Sequence, residues 1–177
     1  MRKLFYLGLA VILFAACQDK PERFTTTSSN IDEVKALIND YETGNWDSWA
    51  THYADTAMIY HNTWEKGSTP AETQESLKSI LANTSSYGFD HGDDNMVLEQ
   101  VIDDVGHTWV NFWGNWHGTL SGNNQEIKIP VHLSLRMVDG KIVREYGFYD
   151  VSNIVSALQA IEASKAASEE ASEGESM

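Results

Sequence analysis

The chain has 177 residues, 42% of them hydrophobic and 21% charged, with a formal net charge of −14. That size suits one domain with its own core. The acidic balance excludes nucleic-acid phosphates and electrostatic docking on anionic lipid as partners. Cys17 is the single cysteine, so no disulfide can form within one chain and burial has to hold the fold.

Met1–Lys3 is a positive n-region, and Leu4–Phe14 is an apolar h-region too short to be a stable membrane span. Ala15-Ala16-Cys17 follows as a small-residue cleavage site. An ordinary secretory signal ends in the same way. A cysteine directly after two alanines also resembles the lipobox of bacterial lipoproteins, although Phe14 stands where that pattern prefers Leu. That resemblance implies a signal peptide over 1–16, diacylation of Cys17, and a chain tethered to a membrane of the cell envelope, facing the periplasm or the outside. Segment 17–29 is polar and reads as a tether.

Asn30, with Glu33 three residues on, reads as the capped start of a helix from about Ile31 to Thr43. Val34, Leu37, Ile38 and Tyr41 form its buried stripe. Gly44 closes this helix and Asn45 reads as the cap of the next. In that second helix Trp46, Trp49, Ala50 and Tyr53 fall on one face. Asp55 and Thr56 break it, and Ala57–Tyr60 reads as a strand ending at His61. Thr69-Pro70-Ala71-Glu72 is a strong start for a third helix, running to about Asn83.

Strands follow: Asn95–Val105, then the aromatic His107–Leu120, then Glu126–Val138, and Lys141–Tyr149 after the tight Asp139-Gly140 turn. Ile154, Leu158 and Ile161 keep helical spacing. Beyond Ser164 no large apolar residue occurs until Met177, so 162–177, rich in Ala, Ser and Glu, reads as frayed or disordered chain.

Three features together resemble the NTF2-like superfamily, in particular its SnoaL-like and ketosteroid-isomerase-like branches. They are the stretch Thr43–His61, the Asp139-Gly140-Lys141-Ile142 hairpin with Asp150 after the last strand, and the order of elements. The resemblance covers about Asn30 to Leu158 and places one domain at 30–161. It implies an α+β cone, with three N-terminal helices packed on a curved, mostly antiparallel sheet that encloses a pocket. It also implies pairing of two copies, often through the sheet.

The same resemblance puts His61 where related enzymes hold a proton-moving aspartate. Histidine can do that work near neutral pH. It puts Asp150 where SnoaL-like cyclases hold an acid–base group, although Asp150 is equally suited to cap the helix that follows. His132 alternates with Ser134 and Arg136 on one face of its strand, with Val131, Leu133, Leu135 and Met137 on the other, and either face could line the pocket. Trp109, Asn111 and Trp113 suit a pocket wall that stacks on a flat ligand, or a dimer contact. Trp49 and Tyr53 are further wall candidates. The oxyanion-binding tyrosine of steroid isomerases falls at Leu37, which argues against that reaction.

No histidine pair has metal-ligand spacing, and no phosphate loop, nucleophile elbow or dinucleotide fingerprint occurs. No metal and no cofactor are therefore expected. The expected function is a pocket for a small, largely apolar molecule. Any chemistry would be cofactor-free proton transfer of the isomerase, cyclase, dehydratase or hydrolase kind, with His61 and Asp150 as the pair. The alternative is a ligand-binding or assembly module without catalysis.

Overall fold

The computed structural model describes residues 22–92 and 94–175. The signal segment and Cys17 lie outside them. A short strand β1 (Phe24–Thr25) comes first and pairs with Val101 and Gln100. The segment read as a tether therefore ends inside the sheet.

Helix α1 (Ser29–Thr43) is capped by Ser28, whose hydroxyl accepts from the Ile31 N–H. This corrects the expected cap at Asn30. The Asn30 amide instead donates to Gln100, and Glu33 reaches His52 at 2.9 Å. Gly44, at φ 67, closes the helix. Helix α2 (Trp46–Thr51) is shorter than the apolar stripe suggests. The His52 carbonyl accepts from the Ile142 N–H, so the sheet takes over the chain and strand β2 (Tyr53–His61) starts at Tyr53. Ala50 is exposed, and the Asn45 amide binds Asp40 instead of capping.

Helix α3 (Pro70–Leu81) begins with the full capping box between Thr69 and Glu72. A strand that the sequence pattern did not announce, β3 (Thr84–Phe89), follows it. Then come β4 (Met96–Ile102), β5 (Thr108–Leu120), β6 (Glu126–Val138), β7 (Lys141–Tyr149) and helix α4 (Ser152–Glu175). α4 continues through the tail read as disordered. Among the described side chains its last packed residue is Ile161, and Ala and Glu carry helical propensity beyond that point.

The sheet order is β1-β4-β5-β6-β7-β2, with β3 also pairing β5. β5 holds β4 along its first half and β3 along its second. β2 runs parallel to β7, and every other pair is antiparallel. Val110, Phe112, Trp116 and Leu120 of β5 face inward with Ile127, Ile129, Leu133, Leu135 and Met137 of β6. They pack against Ile31, Val34, Leu37 and Ile38 of α1. Burying these side chains stabilises the fold by roughly 1.5–3 kcal/mol for each large one. Among the described residues no helix is long and apolar enough to cross a membrane.

Candidate active site

β7 starts with Ile142 buried and then slips against β6: Met137 pairs with Ile142, but Arg136 pairs with Arg144. The extra residue, Val143, reverses the in–out alternation, as a bulge does. Glu145 and Tyr149 consequently line the interior cavity, while Arg144 and Phe148 are exposed on the outer face. β2 supplies Tyr53 at its start and His61 at its end.

These side chains form one chain of hydrogen bonds. The Tyr53 hydroxyl donates to Glu145 Oε2 at 2.6 Å. His61 Nε2 lies 3.0 Å from Glu145 Oε1, and the Tyr149 hydroxyl lies 2.8 Å from His61 Nδ1. A carboxylate only accepts, so a neutral His61 carries its proton on Nε2 and offers the Nδ1 lone pair to the Tyr149 O–H. Glu145 is 3% exposed. Such a buried carboxylate is tolerable because both of its oxygens are answered. Burial raises the Tyr53 phenol well above its ordinary range, and the Glu145 charge raises it further. Tyr149 is raised by the same two causes in the same order. Both phenols therefore keep their protons at neutral pH.

The rest of the cavity is apolar. α1 contributes Leu37, Ile38 and Tyr41, and α3 contributes Leu77, Ile80 and Leu81. Phe89, Trp116 and Leu133 come from the sheet. The free space is about 110 Å³, on the scale of cavities that accept a single aromatic ring. Tyr41 accepts a hydrogen bond from Trp116 Nε1 at 2.9 Å. It is the polar group on α1 that faces the cavity, one turn beyond Leu37.

Three of the residues singled out from sequence meet here: His61, Trp49 and Tyr53. The others do not. Asp150 is exposed, and its Oδ1 accepts from the Ser152 N–H at 2.8 Å. Hydrogen bonds from Ser152 hold its carboxyl below the usual range. It accepts from the first N–H of α4 and takes no place in the cavity.

His132 lies on the outer face, because the apolar face of β6 is the inner one. Its ring stacks 4.7 Å from Trp113 and its Nδ1 donates to the Phe112 carbonyl at 3.1 Å. Trp109, Asn111 and Trp113 share that outer face. Trp109 Nε1 donates to Asp103 at 2.9 Å. This bond is the main cause that brings the Asp103 carboxyl down to about 2. Asn111 bonds Glu99 and Ser134. Glu145 and Tyr149, which complete the site, were not among the sequence candidates.

Several solved structures are similar to this chain. PrhC from Penicillium brasilianum matches with a TM-score of 0.62 at 15% identity, over 81% of this chain and 93% of that one. A candidate SnoaL-like polyketide cyclase from Shewanella putrefaciens matches at 0.56 and 13% identity, over 76% of this chain and 88% of that one. A hypothetical protein with a ketosteroid isomerase-like fold from Catenulispora acidiphila, in complex with trimethylamine, matches at 0.55 and 13% identity, over 71% of this chain and 90% of that one. No protein-family model matches the sequence, and no curated protein does.

Proposed function

With the SnoaL-like and ketosteroid isomerase-like fold of these structures as premise, we propose that this chain is a cofactor-free acid–base enzyme acting on a small, largely apolar molecule. One observation carries the reading: the Tyr53–Glu145–His61–Tyr149 chain stands on the wall of an otherwise apolar cavity. Binding an apolar ligand needs only shape, whereas a buried carboxylate costs free energy and shifts protons.

In the proposed reaction a substrate C–H or O–H proton passes to the Tyr149 oxygen while the Tyr149 proton passes to His61 Nδ1. Glu145, held by Tyr53, offsets the charge of the imidazolium. The reverse relay delivers the proton to another substrate atom, which gives an isomerisation, a cyclisation or an elimination. Hydrolysis would use the same relay to take a proton from water.

A second reading is favoured by the closure of the network. Each polar group in it is answered by another, so the site also suits a carrier that binds without turnover. Two further proposals concern the cellular setting. The lipobox-like segment supports anchoring of the envelope protein at Cys17, and a Cys17→Ser variant that still partitions with membranes would overturn it. The outer aromatic face supports pairing of two copies.

The function is tested in D₂O with the full chain and small aryl ketones, following deuterium at the carbon next to the carbonyl. Exchange that His61→Ala and Tyr149→Phe abolish supports the enzyme. Ligands that bind without exchange leave the carrier.

A further inference from the structure

A second chamber, of about 160 Å³, adjoins the apolar cavity and shares His61, Leu77, Ile80 and Tyr149 with it. Its own walls are different in kind. The loop between β2 and α3 contributes Thr63, Lys66 and Ser68, and α3 contributes Thr73 and Ser76. Thr73 is 5% exposed, yet among the described residues its hydroxyl makes no hydrogen bond. The one sealed and unpartnered side-chain polar atom among those residues is Arg136 Nε. The Thr73 hydroxyl therefore keeps some access, and the chamber it lines is where that access lies. The Ser68 and Ser76 hydroxyls likewise have no protein partner among the described residues.

The charge layout separates the two spaces. Among the described residues no carboxylate lines the chamber, and Lys66 stands at its rim. The nearby Glu72 carboxylate binds the Thr69 cap through Oε2 and also attracts Lys66. The apolar cavity, by contrast, holds Glu145 on its wall. A negative group is thus repelled from the cavity and received by hydroxyls and an ammonium in the chamber, an exception in a chain of net charge −14. His61 and Tyr149 stand at the junction.

We infer that the chamber is a head-group subsite for a carboxylate, so that the ligand is a small apolar carboxylic acid. Its apolar body fills the cavity and its carboxylate meets Thr73, Ser76 and Lys66. The reacting carbon is then the one next to the carboxylate, beside the Tyr149 hydroxyl. This inference rests on the pocket reading above and deepens it.

The test is quenching of tryptophan fluorescence in the full chain, read through the cavity residues Trp49 and Trp116. The probes are phenylacetate and its neutral isostere phenylacetamide. The acid is expected to bind roughly tenfold more tightly than the amide, the margin of one charge-assisted hydrogen bond. Lys66→Met should shrink that ratio by weakening the acid, whereas Thr73→Val, whose hydroxyl can serve either head group, should weaken both probes. Lys66 is exposed, so its variant carries the test by itself if Thr73→Val does not fold. Equal binding of acid and amide, or a ratio that survives Lys66→Met, overturns the carboxylate subsite and leaves the apolar pocket standing. Failure of both probes to bind overturns the pocket reading, and this inference with it.

Discussion

Gly147 lies directly across the parallel pairing from His61, and a Cβ added there would sit 2.6 Å from His61 Cδ2. The imidazole occupies the space that a side chain on β7 would otherwise take. It is held there from the other side as well: the Asn62 N–H donates to the Gly147 carbonyl at 2.8 Å, and Asn62 Oδ1 accepts from the Tyr149 N–H at 3.0 Å. A glycine on one strand thus positions the histidine of its neighbour.

Gly147→Ala should therefore push His61 off Glu145. Overpacking at such a site costs about 1–3 kcal/mol, so the variant should still fold. Deuterium exchange should fall at least about tenfold, since misplacing a proton-transfer group is expensive. Wild-type exchange in a folded Gly147→Ala variant would show that His61 is not in the reaction.

Glu145→Gln keeps the shape of the side chain but offers an amide N–H₂ to one of two groups that now donate. Either the Tyr53 O–H or the His61 Nε2–H loses its acceptor. An unsatisfied buried donor costs about 1–3 kcal/mol. Exchange should drop by roughly 10²-fold or more. Tyr53→Phe removes one hydrogen bond and leaves His61 paired, so its loss of rate should be smaller. Chemical denaturation beside the exchange assay separates the two effects. Equal rate losses in both variants would contradict the order of roles assigned here.

His52 ties α1 to the start of β2: Nδ1 is 2.9 Å from Glu33 Oε1 and Nε2 is 2.9 Å from Asp40 Oδ2. Burial alone would raise the Asp40 carboxyl. Hydrogen bonds from Ser48, His52 and Asn45, together with the His52 charge, bring it below its ordinary value instead. A carboxylate depressed by folding adds stability that is present above its unfolded value, about 3.9. That stability is lost as pH falls through the lower folded value. The wild type should lose stability in this acid window, and Asp40→Asn should flatten the loss while being less stable at pH 7. Denaturation midpoints measured at pH 7 and on either side of pH 4 decide it. Parallel pH profiles for the two proteins would remove Asp40 from the account.

The outer face carries Trp64, Trp113 and Phe148, which are 69%, 39% and 36% exposed. Contiguous exposed aromatics mark contact surfaces. If two copies pair there, the wild type sediments at twice the chain mass, and Trp113→Asp with Phe148→Asp brings it to the single mass. A wild type that sediments as a monomer removes the pairing.

Much of the fold was legible because local rules and burial agree. The Thr69–Glu72 box, the Asp139-Gly140 turn with φ 50 and 74, and the bounds of β6 and β7 all stand where the pattern put them. Helix α2 did not, because its last residues carry a helical stripe that the sheet overrides through the His52 carbonyl. The site was half legible. His61, Trp49 and Tyr53 follow from strand and helix ends. Strict alternation from Ile142 puts Arg144, Tyr146 and Phe148 inside and Glu145 outside, and only the slipped pairing at Val143 reverses this. Similarly, Asp150 and His132 have the chemistry of a site without its location.

Sequence alone determined the α+β class, the order of the main elements and the presence of a histidine at the end of β2. These depend on periodicity and capping, which act within a few residues along the chain. Tertiary structure decided which carboxylate meets that histidine. The register between β6 and β7 is set by how the whole inner face packs, and a slip of one residue exchanges every side chain between cavity and solvent.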